Sequence, residues 1–177
     1  MPKIKWILDD GHSEIYFKVK HLMITTVTGF FRKFYAEAYS EEDDFIAVSG
    51  ILFTADIDSI DTNNKQRDGH LMSADFFDAE KNKQIAFSGN RYERDGSDAK
   101  LYGDLSINGI TRPIEIDVEF GGVAVDGYGQ TKAGFTISGK ISRKEFGLTW
   151  GAVTETGNVI VGDQVKFHGE IQLIKQS

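Results

Sequence analysis

The sequence contains no cysteine and only 2 prolines among its 177 residues. Without cysteine there is no disulfide, no thiolate metal site and no thiol nucleophile. No window approaches the ~20 consecutive apolar residues of a membrane-spanning helix. The opening Met1-Pro2-Lys3-Ile4-Lys5-Trp6 lacks the apolar run of a signal peptide. The chain is therefore expected not to span a membrane and to be cytoplasmic as it stands, or periplasmic if a leader has been removed. Positive charge is scarce as well. A formal net charge of −7 argues against a general affinity for nucleic acid or for an anionic membrane, while leaving room for a local basic patch.

Groupings that carry chemistry are equally sparse. The four histidines, His12, His21, His70 and His168, show neither i, i+4 nor H-x-H spacing, so no metal site is expected. There is no G-x-S-x-G elbow, and Ser13 next to His12 would point to the opposite face of a strand. Gly121, Gly122, Gly127 and Gly129 lack the spacing and following helix of a phosphate loop. The run Glu41-Glu42-Asp43-Asp44 reads as a solvated turn. The expectation is a protein that is not an enzyme and needs no cofactor.

What the sequence has in abundance is period-two alternation. Ile15, Phe17 and Val19 alternate with Glu14, Tyr16, Lys18 and Lys20, and Ile114, Ile116, Val118 and Phe120 alternate with Glu115, Asp117 and Glu119. Val165, Phe167, Ile171 and Leu173 follow the same rule. Such runs are strands with one buried face and one wet face. Further strands are expected at Gln84–Asp95, Ala99–Asn108 and Lys132–Arg143. Thr25–Ser40 and Phe45–Asp58 read as longer strands, apolar on both faces for part of their length, which calls for a covering element or a partner subunit. Turn signals stand at Asp9-Asp10-Gly11, Asp95-Gly96-Ser97-Asp98, Asn108-Gly109 and Asp126-Gly127, and Pro113 marks a strand start or edge. Only Thr62–Asp78 lacks a strand pattern; Thr62 is expected to cap a helix over Asn63–Leu71, and Ser73 a second turn through Phe77. Many strands and one short helical insert point to an all-β barrel or sandwich.

Several strands carry glycine in phase with their apolar residues: Gly89, Gly103, Gly139 and Gly169. Glycine weakens a strand, so the set calls for a reason. Either the missing side chains leave free volume for a ligand, or they permit the bends that curl strands into a barrel. Phe17, Phe53, Phe87, Phe135 and Phe167 share the inward parity of their strands, and Phe30 and Phe34 lie on one face of theirs; alternation cannot separate a filled core from a lined pocket. His21 shares the inward parity of Phe17 and Val19, as a rim group, a lone haem ligand or a plain hydrogen-bonding residue. Arg67-Asp68-Gly69-His70, beside Phe76-Phe77, either meets the head group of an amphiphile or pins the insert to the barrel.

At this cluster the chain resembles the YceI-like family of polyisoprenoid-binding proteins. The shared pattern runs through Trp6-x-x-Asp9, His12-Ser13-x-Ile15-x-Phe17-x-Val19-Lys20-His21-Leu22, Val27-x-Gly29-x-Phe31 and Ser59-Ile60-x-Thr62. Its most specific piece is Arg67-Asp68-x-His70-Leu71-x-Ser73-x-Asp75-Phe76-Phe77. It continues in Gly103-x-Leu105-x-Ile107-x-Gly109-x-Thr111-x-Pro113, in Ser142–Leu148 and in Val161-Gly162-Asp163-x-Val165. The resemblance implies an extended lipocalin-like antiparallel barrel of about eight strands with a helical insert, holding a long-chain isoprenoid lipid. It also implies a homodimer that would cover the second apolar face. The residues assigned to the ligand are Phe17, His21, Phe30, Phe34, Phe53, Arg67, His70, Phe76, Phe77, Phe87, Gly103, Leu105, Phe135, Phe146 and Phe167. An enzyme acting on the bound lipid and a haem-binding barrel are the alternatives.

Overall fold

The computed structural model describes residues 3–151 and 160–177. Eleven strands appear among them: β1 (Ile4–Leu8), β2 (Glu14–His21), β3 (Thr25–Phe31), β4 (Phe34–Ser40), β5 (Val48–Asp56), β6 (Ile60–Asp61), β7 (Gln84–Asp95), β8 (Asp98–Ile107), β9 (Ile110–Val125), β10 (Thr131–Ser142) and β11 (Val161–Lys175). One α-helix, α1 (Lys65–Met72), lies between β6 and β7.

The sheet runs β1-β4-β5-β7-β8-β9-β10-β11, and β1 pairs back onto β11 to close an antiparallel barrel. The closing strand is shared. Its last residues pair with β1 (Leu8↔Leu173, Trp6↔Lys175), while Val161 to Glu170 pair with β2. β3 and β6 continue the wall from β2. One end of the barrel is thus walled by β1 and β4, the other by β2, β3 and β6.

Alternation places the core as expected. Along β8, Ala99, Leu101, Gly103, Leu105 and Ile107 are buried while Lys100 and Asp104 face water. Asn108 and Gly109 both have positive φ (56° and 73°), the backbone of the two-residue turn that Asn-Gly favours. Pro113 sits at an edge: β8 pairs alongside it, and β10 joins β9 only from Asp117 onward.

Three local expectations are corrected. Thr25–Ser40 is two strands, because the chain turns at Arg32-Lys33, where Arg32 N–H donates to the Ser59 carbonyl (3.1 Å). Phe45 does not begin β5; at φ 54° it folds out of the acidic loop and is 1% exposed. α1 is capped by Asn64, whose side chain accepts from Arg67 N–H (2.9 Å), because Asn63 has a left-handed backbone (φ 64°) and Thr62 is buried elsewhere. The turn expected from Ser73 through Phe77 is present, Ser73 Oγ accepting from the Asp75 N–H (3.3 Å) and its carbonyl from the Phe76 N–H (3.0 Å), while its hydroxyl donates to the His70 carbonyl (2.6 Å).

The in-phase glycines do not leave space. A Cβ on Gly103 would collide with the Phe87 ring and the Ser88 carbonyl, one on Gly139 with the Phe167 ring, and one on Gly29 with the Phe17 ring. Phe17 is the cross-strand partner of Gly29, and Phe167 that of Gly139. Gly169 lies under Ile137, and Gly89 under Ile51 and Leu101. Each glycine is a seat over which a large side chain lies flat, a recognised device for pinning register in curved sheets.

Candidate functional site

An internal void of about 270 Å³ runs through the barrel, lined almost wholly by aliphatic and aromatic side chains. Its wall comes from both core clusters, one built on β5, β7, β8 and the insert and a smaller one around Trp6.

The β1/β4 end is shut by aromatic rings. Trp6 is 0% exposed and its indole N–H donates to Ser40 Oγ (2.8 Å), which satisfies a polar atom that burial would otherwise strand. Phe45 packs 4.7 Å from the Trp6 ring centre, 4.9 Å from Phe135 and 5.6 Å from Phe120. The loop carrying Phe45 is tied down by Arg94, which donates to the Asp44 carbonyl and lies over the Phe120 ring, and by the Lys175–Asp43 pair (2.9 Å). Close by, Asp9 and Asp126 share Lys132 at 2.6 and 3.0 Å. The Lys132 bond, with His12 adding to it against burial, holds the Asp9 carboxyl below the usual range; Asp126 is held below chiefly by the Gln130 N–H.

Tyr92 lines the void, and its buried hydroxyl has no hydrogen-bond partner among the described residues. Burial raises its pKa, with Arg94 partly opposing.

The opposite end is covered by the insert. Leu71, Phe76 and Phe77 line the void there. Phe77 meets Phe31 edge-on (6.2 Å), and Asn82 Nδ2 donates to the Phe77 carbonyl and to Asn108 Oδ1 (3.0 and 3.1 Å). Outside Phe76, His70 bonds Asp75 (2.9 Å) and stands edge-on to Trp150 (4.6 Å). Arg143 is 3% exposed and also lines the void. Its guanidinium donates to the carbonyls of Gly162, Leu148, Trp150 and Val161 (2.8, 2.6, 2.8 and 2.9 Å), fastening the segment Leu148–Trp150 to the start of β11. Burial lowers its pKa, with Asp163 opposing. Burial pushes Asp163 upward, but the Ser142 hydroxyl, the Lys144 N–H and the nearby cations bring it net below the usual range.

Of the residues assigned from sequence, Phe17, Phe53, Phe76, Phe77, Phe87, Leu105, Phe135 and Phe167 line the void. Phe34 packs on Phe53 (5.9 Å) behind the lining, and Phe146, 1% exposed, belongs to the core under the same end. Phe30 faces outward, opposite Tyr16 and beneath Arg32, because the turn at Arg32-Lys33 separates its parity from that of Phe34. His21 is exposed, the strand ending where it pairs with Val161 and Thr25. Arg67 and Asp68 both bind Thr62, Arg67 through its side chain (2.8 Å to Oγ1) and Asp68 by accepting its N–H (2.9 Å). That geometry pins the insert to the wall. His70 lies outside the Phe76 ring, and Gly103 lies beneath Phe87. Phe45, Tyr92, Arg143 and Trp150 were not assigned to the ligand from sequence. Arg143 alone had a signal, as part of the Ser142–Leu148 segment of the family pattern.

Comparison with known proteins agrees with this architecture. The profile described as the YceI-like domain matches residues 6–173. A UPF0312 protein of Staphylococcus epidermidis is 37% identical over 171 residues, covering 95% of this chain and 96% of that protein. The crystal structure of a YCEI protein of Campylobacter jejuni is 32% identical, with a TM-score of 0.77 over 89% of this chain and 90% of that one. A domain of Saccharophagus degradans, described as polyisoprenoid binding and implicated in plant cell wall breakdown, shares the fold at 13% identity, with a TM-score of 0.73 over 97% of this chain and 98% of that domain.

Proposed function

The chain belongs to the YceI-like domain family, and on that premise we propose that it binds, stores or carries a long-chain isoprenoid-type lipid, a polyprenyl chain or prenyl quinone, without transforming it. The observation that carries the reading is the apolar void, shut by Phe45 and Trp6 at one end and covered by the insert at the other. The polyisoprenoid-binding description of the Saccharophagus domain supports the ligand class.

The energetics suit a slim chain. Each methylene taken from water contributes about 0.8 kcal/mol, so a prenyl tail binds through length with few polar contacts. A void of about 270 Å³ falls just short of the pockets of roughly 300–1,000 Å³ that hold compact drug-sized ligands. A thin tail fits such a channel better than a bulky ring system. The head group stays at the insert end, where His70, Asp75 and the half-exposed Trp150 supply polar and aromatic contacts. Haem finds no histidine on the void's wall: His21 is on the outside and His70 is bonded to Asp75. A homodimer covering the exposed Tyr35, Ile46 and Leu52 belongs to the same proposal.

Native mass spectrometry of the purified protein, followed by denaturing extraction, tests this. The expected spectrum shows a stoichiometric adduct that extracts as a prenyl or other long-chain lipid, on a doubled protein mass. An apo mass that stays apo on titration with prenyl quinones and polyprenyl phosphates overturns the carrier reading. A loaded single-chain mass overturns the dimer alone.

A further inference from the structure

The outer surface at the insert end carries a feature that lipid binding inside the barrel does not use. Lys140, Lys166 and Lys18 are direct cross-strand neighbours on β10, β11 and β2, and all three are exposed. Like charges placed directly opposite one another destabilise a sheet. Among the described residues none of the three forms an ion pair with a carboxylate; Lys18 rests over the Tyr16 ring (5.7 Å). Lys20 is exposed further along β2. The nearby Asp163 is occupied by the Ser142 hydroxyl and the Lys144 N–H (2.6 and 3.1 Å). A concentrated row of cations stands out on a chain of net charge −7.

Beyond Lys18 and Lys20 the strand ends in an apolar tip. Leu22, Met23 and Ile24 are 46%, 58% and 75% exposed, the largest such run on the described surface. The turn is closed by Ile24 N–H donating to the His21 carbonyl (3.1 Å), with Leu22 and Met23 both at positive φ (52° and 59°). Asn and Gly are the usual residues for that backbone. Here large apolar side chains are held out into water at a conformational disadvantage. Leu22 N–H donates to the Ile160 carbonyl (2.7 Å), so the tip is joined to the chain entering β11, which Arg143 fastens at the end of the void.

We propose that this end of the barrel docks on an anionic lipid bilayer, the lysine row meeting the head groups and Leu22–Ile24 entering the interface, so that the void opens toward its lipid source. The proposal rests on the carrier reading above. Charge complementarity selects the occupant. A basic row facing an anionic surface gains attraction with every lysine, while the acidic remainder of the protein is repelled and fixes the orientation.

The test is flotation of the purified protein with phosphatidylcholine vesicles, with and without phosphatidylglycerol, at low and high salt. Wild type is expected to float with the anionic vesicles at low salt only. A variant combining Lys18→Gln, Lys140→Gln and Lys166→Gln should weaken that binding by roughly a hundredfold, while melting no lower than wild type because the like-charge row is relieved. Ile24→Ser, at a position 75% exposed, should lower binding more modestly. Equal binding to neutral vesicles, no binding to either, or wild-type flotation of the triple variant overturns docking. So does self-association abolished by Ile24→Ser, which would make the tip a contact between copies. The mass spectrum separates the two readings: a lipid-loaded protein that ignores vesicles loses only the docking, and a vesicle-binding protein that never takes up a prenyl chain loses only the cargo.

Discussion

The two ends of the barrel are built from the same kind of residue and behave as opposites. The β1/β4 end closes with Trp6, Phe45, Phe120 and Phe135 packed ring to ring, its loop clamped by Arg94 and by Lys175–Asp43. The insert end closes with Phe76 and Phe77 on a short helix, held by Arg67, Asp68 and Asn82. Aromatic rings thus make a fixed floor when their backbone belongs to the closed sheet and its clamped loop. They make a cover when their backbone is an insertion. What distinguishes floor from cover is the anchoring of the segment and not its composition.

The largest expected effect breaks the contrast directly. Phe45→Ala removes a side chain that is 1% exposed from the middle of three rings and should destabilise by about 3–5 kcal/mol. Phe76→Ala, on a segment able to settle into the space left, should stay below about 3 kcal/mol and act mainly by hastening lipid release. Paired denaturant titrations and lipid off-rates check both; equal destabilisation would abolish the distinction between floor and cover.

A smaller effect of opposite sign is expected at Tyr92. Its buried hydroxyl lacks a partner, so Tyr92→Phe should stabilise the lipid-free protein by about 1 kcal/mol. An unchanged or lower denaturation midpoint would mean that the hydroxyl is hydrogen-bonded in solution.

The subtlest difference is in acid. Asp9 and Asp126, both held below the ordinary carboxylate range, meet on Lys132 near the floor, whereas Asp61 and Asp163 are depressed carboxyls at the cover. A depressed folded pKa contributes stability that is complete above the unfolded value, about 4, and is lost as pH falls through the folded value. Lys132→Met should therefore flatten the acid limb of melting temperature against pH, chiefly through Asp9, leaving the share that Asp126 keeps from Gln130 and the shares of Asp61, Asp163 and Glu170. A curve parallel to wild type would assign the acid response elsewhere.

The strands were legible in the sequence because each has one wet face, and Asn108-Gly109 announced its turn by residue type alone. Six of the assigned residues, Phe17, Phe53, Phe87, Leu105, Phe135 and Phe167, reach the void for the same reason: parity on a long strand is a reliable compass. It failed where a turn resets it, at Arg32-Lys33, which sends Phe30 outward and Phe34 inward. The glycines misled because their meaning depends on the neighbour across the sheet; Gly103 and Gly139 read as vacancies until Phe87 and Phe167 are seen lying on them. Phe45 read as the first residue of a strand, yet it precedes β5. An apolar run after four acids gives no hint that its first residue folds back to floor a cavity.

The strand β11 binds both β1 and β2, and its pairing with β1 joins residues from opposite ends of the chain. Contacts so remote in sequence close slowly, since loop entropy must be overcome before they yield any gain. The void is complete only once that pairing has closed the barrel. Until then its oily lining is an open, sticky trough, exposed to aggregation and to chaperones alike.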